Sequence, residues 1–310
     1  MIGIVRIVLL ESLNGEHKEQ VSPIGALKFI LERHISNLDN WAINMKVLII
    51  IHRSLQNIRV NRKIIKDLKK NEHLLHPYQK KNPENKYNVK MYMEITKQYS
   101  TYIKFYMNTC LKTDMLTKPR KKLSEEVRTL RTADILRNYE FFEGMCTQIF
   151  TMFQHTNFCK QTRLFSNFIF MLLKDLMEIY RIYYNHITEI LERFPTLGVS
   201  EVQKAFVMYQ NFVNLTEAIK NKANKLIYIF NFPITLPDFY NPEKGLIDTL
   251  RVVVNAAKDD ATGAGQQIQE VSSKLRAGMN REQYTDKKEE GEEDIKEIYF
   301  NCNVLEKIEG

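Results

Sequence analysis

The chain has 310 residues, 44% of them hydrophobic, with 45 Lys/Arg against 37 Asp/Glu and a formal net charge of +8. Such a chain fits a globular protein of one large or two small domains with a sizeable core. Its 11 glycines and 8 prolines are few for the length, favouring long helices over turn-rich sheets, and its cysteines, Cys110, Cys146, Cys159 and Cys302, form no CxxC or Cys/His cluster. Neither a zinc site nor a disulfide framework is suggested, and a reducing, cytoplasmic compartment is expected.

No apolar run approaches the roughly 18 to 20 residues that a membrane span requires. The opening residues 1–10 lack a basic leader and are interrupted by Arg6, so they read as a helix rather than a signal peptide. Helical periodicity dominates from there on. Helices are expected near 3–13, 22–36, 40–56, 59–70, 88–112, 124–130, 133–155, 161–194, 200–228 and 242–257, with no convincing strand. A polar connector, His76 to Lys86, precedes the fifth of these, and a break runs from Thr113 to Lys122.

Ile135, Tyr139, Phe142, Cys146, Ile149 and Phe153 recur at steps of three and four. So do Phe165, Phe168, Leu172, Leu176, Ile179, Tyr183, Ile187, Ile190 and Phe194, implying about eight turns of helix at 3.6 residues per turn. Thr132, the pair Ser200/Gln203 and Asn241-Pro242 are candidate helix starts. Two prolines forbid helix across Phe232–Asp238. The fold class is therefore all-α: stacked short helices suggest a solenoid at the front, and the later ones suggest a long-helix bundle.

Charge is unevenly spread. Residues 259–310 carry 13 acidic and 7 basic side chains, whereas 1–258 carry 38 basic and 24 acidic, a net of +14. The folded part is expected to span 1–258 and the acidic remainder to form a disordered tail. Within that tail the apolar stretch from Ile295 to Ile308 is too short for a core. A net charge of that size attracts anionic surfaces, either membrane or nucleic acid.

Catalytic constellations are missing. No P-loop, dinucleotide-binding, nucleophile-elbow or H-E-x-x-H motif occurs, so an enzyme is not expected, and neither is a cofactor. His73 and His76 sit three apart without a third ligand, so no metal site is expected. Asn214-Leu-Thr216 matches a glycosylation acceptor in pattern only. Lys46 to Lys90 holds 12 Lys/Arg against 3 Asp/Glu. Arg59, Arg62, Lys63, Lys66, Lys69 and Lys70 crowd about three turns of one helix, and Arg62, Lys66 and Lys69 or Lys70 share a face. That face is the candidate anion-binding site. Aromatic residues fall mostly on the apolar stripes, where core packing explains them, so nucleic acid is not the expected partner.

Four segments carry a resemblance. Trp41, Lys46, Leu48-Ile49, His52-Arg53 and Leu55 are similar to the core helix of the ANTH-domain clathrin-assembly family, the CALM-like endocytic adaptors. Gln98-Tyr-Ser-Thr-Tyr-Ile-Lys104 resembles that family's Y-[SA]-x-Y-L turn. Leu172 to Tyr180, running on to Ile190-Leu-Glu-Arg-Phe194, resembles its K-[DE] helix and L-[LV]-[ED]-K-x-F ending, and Leu236-Pro-Asp-Phe239 resembles its I-P-D-L. The resemblance implies an ENTH/ANTH superhelix followed by a bundle. It also implies a peripheral adaptor that binds phosphatidylinositol 4,5-bisphosphate membranes and links cargo, including vesicle SNAREs, to clathrin. Clathrin-mediated endocytosis at the plasma membrane, in coated pits and vesicles, or budding at the Golgi would be its setting. A helical trafficking scaffold that binds protein cargo without lipid is the alternative.

Two departures qualify what the family implies. Its lysine-rich lipid motif would fall at Met1–Ile4 and earlier, where the sequence reads Met-Ile-Gly-Ile. The first helix is thus expected to be truncated, or membrane binding to run through the 59–70 face instead. No clathrin-box, D-P-F or N-P-F motif follows residue 258.

Overall fold

A computed structural model describes residues 41–56, 61–75, 87–113, 115–117, 120–155, 162–241 and 246–259. The helices expected near 3–13 and 22–36, residue Arg59, the connector from His76 to Lys86, Cys159 and the segment after 259 lie outside the described residues. Among the described residues all regular structure is helical, as expected. The helices are α1 (Trp41–Leu55), α2 (Asn61–Lys70), α3 (Tyr87–Thr113), α4 (Arg120–Thr129), α5 (Thr132–Gln154), α6 (Arg163–Arg193), α7 (Val199–Phe230) and α8 (Leu246–Asp259). Short 3-10 turns cover Glu72–Leu75, Met115–Thr117 and Phe194–Thr196. The described residues fall into two compact units, one up to Ser100 and the other from Thr101 onward.

In the first unit α1 buries Met45, Leu48, Ile51 and Leu55 and packs against α2. Two aromatic contacts join α1 to the first half of α3. The Trp41 ring stacks on Tyr92 with centroids 4.2 Å apart. His52 Nδ1 lies 2.7 Å from the Tyr99 hydroxyl, both groups being buried. The Ser100 hydroxyl donates to the Leu75 carbonyl, which fixes the 3-10 turn that follows α2.

The second unit is built around α6, which buries 19 of its 31 residues and so must be enclosed on more than one side. α4, α5 and α7 pack on it, and α8 packs on α7. Every member of the expected α6 stripe is buried, as is the α5 stripe apart from Tyr139, which is half-buried. Asn211 donates its amide to the Tyr139 hydroxyl at 3.2 Å. Cys146 is fully buried as expected, and burial pushes its thiol well above the usual range. Tyr102 donates its hydroxyl to the buried carboxylate of Asp175.

Two helix starts differ from expectation. Arg131, not Thr132, occupies the cap of α5; its extended backbone precedes the helix and its guanidinium pairs with Asp134 at 2.8 Å. α7 begins at Val199, two residues before the expected Ser200/Gln203 box takes effect. The Gly198 N–H donates to the Glu201 carboxylate at 3.2 Å, so Glu201 closes the first turn and Ser200 lies inside the helix. α6 starts where Thr162 Oγ1 accepts from the Phe165 N–H. Asn231 ends α7 in the left-handed conformation, φ 49°, which asparagine tolerates. Pro242 lies outside the described residues, and α8 is described from Leu246.

Residues 232–240 form a non-helical strap, as the prolines require. Phe232 packs on Phe170 with centroids 5.5 Å apart, and Phe239 packs on Tyr180 at 5.1 Å. The Tyr240 N–H donates to the Tyr180 hydroxyl at 2.9 Å. The strap thus follows α6 for about 15 Å, ten residues at 1.5 Å each.

Arg193 closes the corner between α4 and α5. Its Nη1 donates to the Leu130 carbonyl at 2.7 Å, its Nη2 to the Arg128 carbonyl at 2.9 Å and its Nε to Glu189 at 2.8 Å. Carbonyls at the end of a helix have no partner within the helix, and one planar guanidinium serves two of them. Arg193→Ala is expected to destabilise the chain by about 2 to 3 kcal/mol, because it removes the donor to those two oxygens and the ion pair to the poorly exposed Glu189 carboxylate. Arg193→Lys should restore only part of this, since an ammonium lacks the fork. Urea denaturation checks it through a lower midpoint at unchanged slope.

Candidate functional site

α2 is a ten-residue amphipathic helix. Ile65 and Leu68 are buried on one side, which holds the helix down and fixes its rotation. Arg62, Lys66, Lys69 and Lys70 are exposed. Their spacing of four, then three or four, residues aligns them in a row about 10 Å long at 1.5 Å per residue. The structure thus brings together four of the six cations expected at this site. Lys63 lies on the same helix, its side chain outside the described residues like the whole of Arg59.

Two neighbouring carboxylates were not anticipated as part of this face. Lys69 Nζ lies 2.6 Å from Glu72, and Lys70 Nζ lies 3.4 Å from Asp67. The signal for both was in the sequence, since each pair is three residues apart. Exposed pairs of this kind contribute roughly 0 to 1 kcal/mol, so a lysine can exchange its carboxylate for an incoming phosphate at little cost.

The four cations are not equivalent for helix stability. Lys69 and Lys70 stand in the last turn, where positive charge complements the helix dipole. Arg62 stands in the first turn, which contains no acidic residue. A cation there opposes the dipole by about 0.3 to 1 kcal/mol.

Elsewhere in the same unit Arg53 on α1 and Lys90 and Lys97 on α3 are exposed. Among the described residues no helix is long and apolar enough to cross a membrane, and no group of three or more His, Cys, Asp or Glu could hold a metal ion. The side chain of His73, and His76 altogether, lie outside the described residues. What α2 can do chemically is offer a row of ammonium and guanidinium donors to the oxygens of an anion.

A family model described as the ANTH domain matches residues 21–221. No curated protein and no solved structure matches the chain.

Proposed function

The chain belongs to the ANTH-domain family, which at the family level is one of phosphoinositide-binding endocytic adaptors associated peripherally with membranes, and from that premise we propose that α2 is the surface by which this member engages anionic lipid. The observation that carries the reading is the exposed Arg62, Lys66, Lys69 and Lys70 row, which lies inside the matched residues 21–221. Each such side chain near an anionic leaflet contributes about 1 kcal/mol, through charge-assisted hydrogen bonds to phosphate oxygens. The preferred lipid is phosphatidylinositol 4,5-bisphosphate. Clathrin and vesicle SNAREs are the partners that the adaptor would join to the membrane, at plasma-membrane coated pits or at the Golgi. No catalytic step is assigned to the chain.

The test is co-sedimentation with vesicles with and without phosphatidylinositol 4,5-bisphosphate, at two salt concentrations. Arg62→Glu, Lys66→Glu and Lys69→Glu together are expected to lower vesicle affinity at least tenfold with an unchanged circular-dichroism spectrum. Wild-type binding should weaken as salt rises, because exposed charges are screened over roughly 10 Å at 0.1 M.

A second reading has its own observation. Val207 on α7 and Val252 on α8 are 48% and 59% exposed, and Tyr228 on α7 is 88% exposed. Apolar side chains so placed favour a trafficking scaffold that binds protein cargo without lipid. Failure of the folded wild-type chain to bind any of the vesicles would select that reading.

A further inference from the structure

The same chain that exposes a cationic helix face also carries a run of opposite charge. In Glu289-Glu-Gly-Glu-Glu-Asp294 five of six residues are acidic, within a segment 259–310 that has 13 acidic side chains against 7 basic. α2 carries Arg62, Lys63, Lys66, Lys69 and Lys70 against Asp67 alone. We infer that residues 289–294 dock on the exposed cations of α2 and compete there with the phosphates of a lipid headgroup. The inference rests on reading α2 as an anion-binding face, and it adds a regulator of that face.

Three observations support it. First, carboxylates and phosphates are the two partners that Lys and Arg recognise by the same charge-assisted hydrogen bonds, so a ligand for one is a competitor for the other. Second, the carboxylates already beside the α2 lysines, Glu72 and Asp67, show that this face accepts such groups, at 2.6 and 3.4 Å. Third, the tether permits it. Twenty-nine residues lie between Asp259, the end of α8, and Glu289. They span roughly 45 Å if helical and about 100 Å if extended.

Magnitude sets how strong the competition can be. A tethered segment acts at an effective concentration of about 1 mM. A handful of exposed ion pairs gives a contact with a dissociation constant near that value or somewhat below it. The face is then covered for half the time or more, which lowers its apparent affinity for lipid about two- to tenfold.

The experiment uses the full chain. Glu289→Gln, Glu290→Gln, Glu292→Gln, Glu293→Gln and Asp294→Asn together are expected to tighten binding to phosphatidylinositol 4,5-bisphosphate vesicles about two- to tenfold. In parallel, a fluorescein-labelled peptide of residues 286–297 is titrated into the neutralised chain and followed by anisotropy. It is expected to bind in a salt-sensitive way, and to lose that binding when Arg62, Lys66 and Lys69 are also changed to Glu. Peptide binding that survives the α2 changes overturns the inference, because the segment then docks elsewhere. So does the absence of peptide binding, whatever the vesicles show, because a gain in vesicle affinity would then reflect net charge alone. Peptide binding that depends on α2, with no vesicle binding by either chain, upholds the docking and sinks the lipid reading instead.

Discussion

Phe212→Ala is expected to destabilise the second unit by about 3 to 5 kcal/mol, a large share of the roughly 5 to 15 kcal/mol that holds a domain folded. Phe212 lies on α7 with no exposure. Its ring stacks on Tyr180 at 5.6 Å and 15°, meets Tyr183 edge-on at 5.1 Å, and lies 6.2 Å from Tyr184 and 6.0 Å from Tyr240. One side chain thus joins α7, α6 and the strap after α7. Its removal leaves a void among rings that are themselves held in place. Tyr183 donates to the Met208 carbonyl at 3.1 Å, and Tyr180 accepts from the Tyr240 N–H at 2.9 Å. Those bonds limit the collapse that would otherwise soften the cost. Calorimetry should show a fall in Tm of about 10 °C, and Phe212→Leu should retain most of the loss in ring packing but much less of the cavity. A fall of only a degree or two would mean that the strap closes over the gap.

His186 makes the chain's stability depend on pH. It is fully buried on α6 beside Asn138 of α5, and its ring meets Phe142 edge-on at 5.1 Å. With the proton on Nδ1 the ring donates to the Ile182 carbonyl at 2.9 Å and accepts at Nε2 from the Asn138 amide at 3.4 Å. A second proton would have to displace that amide in an apolar setting. Burial therefore pushes the imidazole down from 6.5 to about 4, with the Ile182 carbonyl opposing part of the shift. In the unfolded chain the ring takes up a proton below about pH 6.5, and in the folded chain it does not until about pH 4. The unfolded state thus binds more protons across that window, and stability falls as pH drops through it. The loss amounts to about 3 kcal/mol between pH 7 and pH 4. His186→Gln removes the titration while keeping a hydrogen-bonding group. Urea midpoints of both chains at pH 7, 5.5 and 4 should therefore converge as pH falls. Parallel pH profiles would assign the acid sensitivity to carboxylates instead.

Much of the helical layout was legible because its signal is local. The α6 stripe from Phe165 to Phe194 repeats every three or four residues, and each member is buried. The α2 face was legible for the same reason: Arg62, Lys66, Lys69 and Lys70 are a single-helix pattern. The two helix starts that moved, to Arg131 and Gly198, were decided between neighbouring residues by the Arg131–Asp134 ion pair and by the Gly198 N–H donating to Glu201, which spacing alone ranks equally with the alternatives. The segments that resemble the ANTH family consist largely of core residues, and their polar residues acquire a role only in three dimensions. His52 meets Tyr99, and Tyr102 meets Asp175, so the family pattern in this chain marks a buried hydrogen-bonded framework.

The sequence by itself determined the helix class, the positions of most helices, the cationic row on α2, the opposite charge after residue 258 and the family. The family follows from the motifs that resemble it and the family model that matches residues 21–221; the rest follow from periodicity and composition, which need only residues a few places apart. The tertiary structure decided which polar groups are buried and what satisfies them. His52 with Tyr99, Asn138 with His186, Arg193 with Leu130 and Tyr102 with Asp175 are separated by 47, 48, 63 and 73 residues. No helical period links positions so distant. Only packing brings them within hydrogen-bonding distance, and once buried each must find a partner or cost the fold more than it contributes.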